Sequence, residues 1–182
     1  NTLGTEKSDV TIKEAGCVLT AYVRMANSLG EKQWNLDEAN KIAVDNSFFT
    51  NNNELSIEAG VKLTNKLLED SNMQIEFQQS LIGTTTEIAI DINGLKNSEE
   101  TYLLTARLMT TNSDGSKTYQ HTVSINGDSV ILNDLYDIDN CLNIKINDTS
   151  AANRQKVEND IRKNEILRVD VFLVTEKENK NK

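Results

Sequence analysis

The chain is predicted to fold as an α+β domain in which N-terminal helices pack on a C-terminal antiparallel sheet. Two observations predict this class. Apolar residues recur at helical spacing up to about residue 68, and from about residue 73 they alternate with polar residues as in strands. No internal repeat or linker interrupts the 182 residues, a length that suits one domain with a complete core. Residues 1–175 are therefore predicted to form a single domain, and the charged residues 176–182 a disordered tail.

The helical half is predicted to follow an N-terminal loop. Residues 14–29 present a broad apolar face at helical spacing, and Gly30 is placed to end that helix. Asn35 followed by Glu38 has the spacing of a capping box and predicts the start of a second helix. A third helix is predicted to begin after Ser56, with apolar residues on one face.

The second half is predicted to be mainly strands. The predicted strands are residues 73–77, 102–109, 120–125, 129–132 and 166–175, and residues 151–163 are predicted to be a polar helix. Residues 86–95 fit either a strand or a short helix, because Ile88, Ile90 and Ile92 alternate while Ala89 and Leu95 complete a helical face. Residues 112–115 predict a turn.

The composition excludes several classes of function. A formal net charge of -9 argues against electrostatic binding of nucleic acid or anionic lipid. No apolar run is long enough to span a bilayer, and no signal peptide is visible. The chain has 1 histidine, His121, which rules out a multi-histidine metal site within it. We therefore expect a monomer without metal or cofactor.

Cys17 is a candidate nucleophile because it opens the most apolar predicted helix, directly after Gly16. A helix N-terminus favours the thiolate form of cysteine, and its backbone N–H groups are natural donors to an oxyanion. The alternative interpretation is a small buried residue on an apolar helix.

His121 is the candidate base, because imidazole is the side chain that ordinarily titrates near neutrality. It lies on a predicted strand that ends at Asn126-Gly127, a strong signal for a hairpin turn. With that turn, Leu132 lies opposite His121, and Asp134 lies diagonally from it on the same face of the sheet. This arrangement predicts a nucleophile, a base and an orienting carboxylate. The alternative is an exposed strand histidine near surface carboxylates.

Two other interpretations concern Cys141 and the acidic residues before it. A disulfide between Cys17 and Cys141 is an alternative to catalysis. As a nucleophile Cys141 is disfavoured, since the neighbouring carboxylates raise a thiol pKa. Asp134, Asp137 and Asp139 suggest calcium, but they lack the glycine and terminal glutamate of an EF-hand loop, so a solvated acidic loop is favoured.

The order of cysteine, histidine and aspartate is that of papain-like enzymes, and the surrounding motifs resemble those of the C39-like peptidases. The segments that carry the resemblance are Leu3-Gly4, residues 11–20 around Gly16-Cys17, residues 35–40, residues 102–108, residues 121–127 and residues 130–134, with weaker similarity at residues 166–174. The family glutamine that donates to the oxyanion precedes the Leu-Gly pair and would lie before Asn1. Leu135 stands where the family has proline, and Thr122 and Ser124 stand where it prefers bulkier apolar residues.

The resemblance implies a papain-like fold and thiol hydrolysis of peptide or related amide bonds. It implies Cys17 as the nucleophile, His121 as the base and Asp134 as the orienting acid, with a peptide or protein as substrate. The expected location is outside the cell or in its envelope. Two alternatives stay open: a binding or adhesion module that keeps the fold without turnover, and transfer of the acyl group to an amine instead of water.

Overall fold

The computed structural model describes residues 17–52, 54–95, 99–111, 113–126, 141–143, 150–163 and 165–178. The helices are α1 (Cys17–Leu29), α2 (Leu36–Asp45), α3 (Ile57–Leu67), α4 (Thr85–Leu95) and α5 (Ala151–Lys163). The strands are β1 (Met73–Ile82), β2 (Thr101–Thr111), β3 (Lys117–Asn126), β4 (Cys141–Asn143) and β5 (Ile166–Glu176). The predicted α+β class is confirmed.

The strands form one sheet in the order β1-β5-β2-β3-β4. The pairs β1–β5, β5–β2 and β2–β3 are antiparallel, as predicted, whereas the short β4 pairs with β3 in parallel. β5 is the last strand in the chain, yet it lies between β1 and β2. It is therefore paired on both edges, which fits its largely apolar sequence.

α1 covers one face of the sheet. Tyr22 and Met25 of this helix pack on Ile75, Phe172 and Val174, which lie on β1 and β5. The opposite side of α1 packs against α2 and α3 in a second apolar cluster. α1 is therefore enclosed on two sides, and its middle turns are buried.

α4 and α5 cover the other face of the sheet. The apolar residues that α4 and α5 bury there are Ile88, Ala89, Ile92, Val157 and Ile161. On the sheet they meet Leu104, Ala106, Val169 and Val171. Residues of β2 and β5 thus alternate between the α1 side and the α4–α5 side, as the pleat of a strand requires.

The helix starts follow the local signals in the sequence. The Asn35 side chain accepts a hydrogen bond of 2.8 Å from the Glu38 backbone N–H, and Ser56 Oγ accepts one of 3.1 Å from the Ala59 N–H. Each bond satisfies a donor that the first turn of a helix leaves without a backbone partner. The predicted starts of α2 and α3 are confirmed.

Residues 86–95, which fitted both patterns, belong to the helix α4. Ile88 and Ile92 are fully buried, whereas Ile90 is 64% exposed. A strand would place all three on one face, so burial of only two of them follows the helical period.

The end of the domain differs from the prediction. Glu176 still belongs to β5 and pairs with Met73. The Lys177 ammonium donates a 2.7 Å hydrogen bond to the Leu68 carbonyl, just after α3. Residues 176 and 177 are thus part of the fold rather than of the predicted tail, because β5 continues and Lys177 binds a carbonyl that the helix end leaves available. The predicted strand 129–132 and residues 179–182 lie outside the described residues.

Candidate functional site

Cys17 is the first residue of α1 and carries a half-buried thiol rather than a disulfide sulfur. The helix that follows it is buried from Leu19 to Asn27. A residue at this position has the N-terminal end of a rigid, packed helix behind it. Helix N-termini stabilise anions, so the position suits a thiolate. Gly16, which precedes it in sequence, lies outside the described residues.

α1 lies in contact with β3, the strand that contains His121. The structure therefore brings together the two elements that carry the predicted nucleophile and the predicted base. They are distant in sequence, and only the packing of α1 on the sheet makes them neighbours.

The register of β3 gives His121 a specific position in the sheet. His121 pairs with Leu108, and two residues further along β3 Val123 pairs with Ala106. Ala106 belongs to the core on the α4–α5 side, so the register assigns position 121 to that face, opposite α1. The pairing of β2 with β3 shifts by one residue immediately before His121. Met109 pairs with Tyr119, so Gln120 is an extra residue in β3. Such a bulge re-aims the residues beside it and is common next to active sites.

Asp134 lies outside the described residues, and so do Gly127 and the residues of the return strand predicted to place it. At Ser124–Asn126 the outer edge of β3 pairs in parallel with Cys141–Asn143. β2 occupies the other edge, so Ile125 is paired on both sides, with Leu104 and with Leu142. The prediction treated Asn126-Gly127 as a local turn signal, and a more distant segment takes that edge instead.

Sequence reasoning missed a polar network on the α1 side of the sheet. Asp170 is buried, and its Oδ1 accepts hydrogen bonds of 2.6 Å from Ser80 Oγ and 2.8 Å from Arg168 Nε. Arg168 Nη2 also donates to Ser80 Oγ at 3.1 Å. The available signal was the pair Arg168 and Asp170, two charged residues on one face of an otherwise apolar strand. Their partner on β1 could not be read locally.

Tyr22 of α1 packs on the same side of the sheet as this network. Burial, and after it the Asp170 carboxylate, raise the pKa of the Tyr22 hydroxyl far above its ordinary value of 10.0, while Arg107 and Arg168 act in the opposite direction. Tyr22 therefore stays neutral under all ordinary conditions. Its ring, packed edge to face against Phe172, anchors the helix that begins at Cys17.

Because the folded-state pKa of Tyr22 is raised, its contribution to stability is complete below the unfolded value of 10.0 and is lost as the pH rises above it. The free energy of unfolding is therefore expected to fall above about pH 10. Tyr22→Phe should fall less steeply over the same range, since it has no hydroxyl to ionise. Urea unfolding at intervals from about pH 8 to about pH 11.5 measures both slopes, and equal slopes would contradict the role given to burial.

Each of the two strands beside β2 has a bulge, and the two bulges lie at the same height along β2. On the side of β3 the extra residue is Gln120, and on the side of β5 it is Leu167, because Arg107 pairs with Arg168 and Leu108 with Ile166. Bulges of this kind increase the local twist of a sheet. It lies beside both His121 and the Ser80–Asp170–Arg168 network.

Over the described ranges, no three or more histidine, cysteine, aspartate or glutamate side chains are grouped to hold a metal ion. No helix in that part of the chain combines the length and apolarity that a membrane span requires. Comparison of the chain with the models of known families, with curated proteins and with solved structures found no match.

Proposed function

We propose that the protein is a thiol hydrolase of the papain-like, C39-like kind, which cleaves peptide or related amide bonds. The contact between α1, which begins at Cys17, and β3, which contains His121, is the observation that carries the proposal. The helix N-terminus behind Cys17 and the bulge next to His121 support it. The chain motifs that resemble the C39-like peptidases supply the reaction class.

In the proposed reaction the Cys17 thiolate attacks the carbonyl carbon of the scissile bond. The tetrahedral intermediate collapses with breakage of the C–N bond, and His121, protonated in the ion pair, gives its proton to the leaving amine. Water, deprotonated by His121, then attacks the thioester and releases the acid and the thiol. Asp134 is proposed to hold the His121 tautomer, and N–H groups at the start of α1 to bind the oxyanion.

Alkylation by iodoacetamide tests the central pair without a known substrate. In the folded protein the rate at Cys17 is expected to stay high down to about pH 6, since a neighbouring imidazolium keeps the thiolate populated. His121→Ala should move the midpoint towards the ordinary thiol value of about 8.5 and slow Cys17 by roughly tenfold or more near neutral pH. Site-resolved mass spectrometry reports Cys17 and Cys141 in one sample, so Cys141 serves as the internal reference.

Matched variants sharpen this test. Arg154→Gln, at an exposed position of α5 on the other side of the sheet, should leave the pH profile of Cys17 unchanged. Asp134→Asn should move the profile in the direction of His121→Ala but by less, because it removes the orienting group and not the base. Equal, slow alkylation of Cys17 and Cys141, indifferent to His121→Ala, would rule the proposal out.

A second function is a papain-like binding module without turnover. The register that assigns position 121 to the face opposite α1 favours it. This alternative predicts that Cys17 titrates as an ordinary thiol and that Cys17→Ala retains every binding activity of the protein. The alkylation profile therefore separates the two functions.

A further inference from the structure

Arg107 and Arg168 are direct partners across β2 and β5. Both lie on the α1 side of the sheet. Arg107 is four residues after Leu103 and Arg168 is four residues before Phe172, and Leu103 and Phe172 pack on that side. Like charges directly opposite each other destabilise a pair of strands. This chain nevertheless places two arginines at directly paired positions, although its formal net charge is -9. Asp170 forms an ion pair with Arg168 at 2.8 Å, so the two guanidinium groups and this one carboxylate leave a net positive charge, which suits an anionic ligand.

Arg168 is held in place by its neighbours. Its Nε and Nη2 donate to Asp170 and Ser80, as described above, and the Arg168 side chain is 28% exposed. Arg107 is half-buried. Arg168 thus combines a fixed geometry with access to solvent, and binding requires little further ordering of its side chain.

The pair also lies close to the proposed reaction site. Arg107 pairs on its other edge with Thr122, the neighbour of His121 in β3. Arg107 and Arg168 both act to lower the pKa of the Tyr22 hydroxyl, which lies in the second turn of the helix that begins at Cys17. The two strand bulges lie at this same level of the sheet.

We propose that Arg107 and Arg168 form a subsite that binds a carboxylate of an acidic peptide, next to the helix that begins at Cys17. A guanidinium group matches the geometry of a carboxylate through two parallel N–H donors. The subsite adds acidic peptides as the substrate class of the proposed hydrolase. Its designation as a substrate subsite rests on that proposed function. The carboxylate can belong to an Asp or Glu side chain or to a peptide C-terminus.

Binding is measured with full-length Cys17→Ala protein, which cannot turn over a peptide. Three probes of equal length separate the sources of the carboxylate: acetyl-Ala-Glu-Ala amide, acetyl-Ala-Gln-Ala free acid, and the neutral acetyl-Ala-Gln-Ala amide. Nuclear magnetic resonance titration follows the Nε–H signals of the arginine side chains. We expect one or both acidic probes to shift the signals of Arg107 and Arg168, and the neutral probe to leave them in place.

The variants Arg107→Gln and Arg107→Lys test the role of the guanidinium fork. Arg107→Gln is expected to weaken binding of the acidic probe by roughly tenfold or more, since it removes a charge-assisted hydrogen bond. Arg107→Lys, which keeps the charge and loses the fork, should give an intermediate affinity. Arg154→Gln makes the same change at an exposed position of α5 and should stay within about twofold of the parent, as expected for a distant surface charge.

The proposal is overturned if the neutral probe binds as well as the acidic ones, or if Arg107→Gln and Arg154→Gln weaken binding equally. It is also overturned if a folded Arg107→Lys protein shows no loss while acidic probes shift only signals elsewhere. Failure of the subsite leaves the alkylation profile of Cys17 untouched. Failure of the thiol-hydrolase proposal leaves binding of acidic peptides to Cys17→Ala intact, so the two outcomes are distinguishable.

Discussion

Phe172→Ala is expected to lower the free energy of unfolding by about 3–5 kcal/mol. Phe172 lies on β5, an interior strand paired on both edges, and is fully buried. Its ring meets the ring of Tyr22 edge to face, with centroids 5.8 Å apart, and it contacts Phe77 at the same centroid distance. Removing it leaves a cavity between α1 and the sheet that backbone bonds on both edges of β5 prevent from closing.

Phe77→Ala is the matched control, because it removes the same atoms from the edge strand β1. Phe77 is 41% exposed, so removing its ring is expected to cost about 1–2 kcal/mol, in proportion to the part of the side chain that is buried. Urea unfolding at neutral pH, with the midpoint and the slope fitted for each variant, gives the comparison. Similar losses at the two positions would show that α1 does not pack tightly on β5.

Gly60→Ala is expected to destabilise the protein by about 2 kcal/mol, even though alanine favours a helix over glycine by about 1 kcal/mol. Gly60 lies inside α3, and an added Cβ would overlap the ring carbons of Tyr22. That ring is packed against Phe172 and cannot move aside as the end of a flexible chain would. Overpacking therefore outweighs the gain in helix propensity.

Gly94→Ala provides the opposite case. Gly94 lies in α4, and nothing stands within 4 Å of a Cβ added there. This substitution is expected to be neutral or to stabilise the protein by up to about 1 kcal/mol.

In a double-mutant cycle with Tyr22→Ala, the cost of Gly60→Ala should largely disappear, since the overlapping ring is gone. A cost at Gly60 that persists without the ring would exclude the overlap as its cause.

Local features of the fold were predictable from sequence because their causes are local. Asn35 and Ser56 accept from backbone N–H groups three residues ahead, so the sequence alone locates the start of each helix. The choice of helix for residues 85–95 was not predictable, because it depends on which isoleucines find a core. Ile90 is left in solvent because α5 and the sheet cover the opposite side of α4.

The residues of the candidate site also divide into those that local sequence patterns predict and those that depend on distant pairing. Cys17 at the start of a helix and His121 in a strand follow from local patterns, and their elements are in contact. The position of Asp134 depended on a pairing partner for β3, and a segment further along the chain takes that edge. Asp170 and Ser80 were missed because they are 90 residues apart in the chain and meet only through the pairing of β1 with β5. Pairing between distant strands is what a single sequence conveys least.

The place of β5 between β1 and β2 also sets the order in which the domain can assemble. β1 and β2 leave the ribosome well before β5, and neither can complete its pairing until the final strand arrives between them. Contacts between segments so far apart slow folding, and meanwhile two strand edges stay open to other chains. A nascent chain that stops short of residue 166 would expose those edges permanently, so we expect shortened products to aggregate rather than to form a smaller version of the domain.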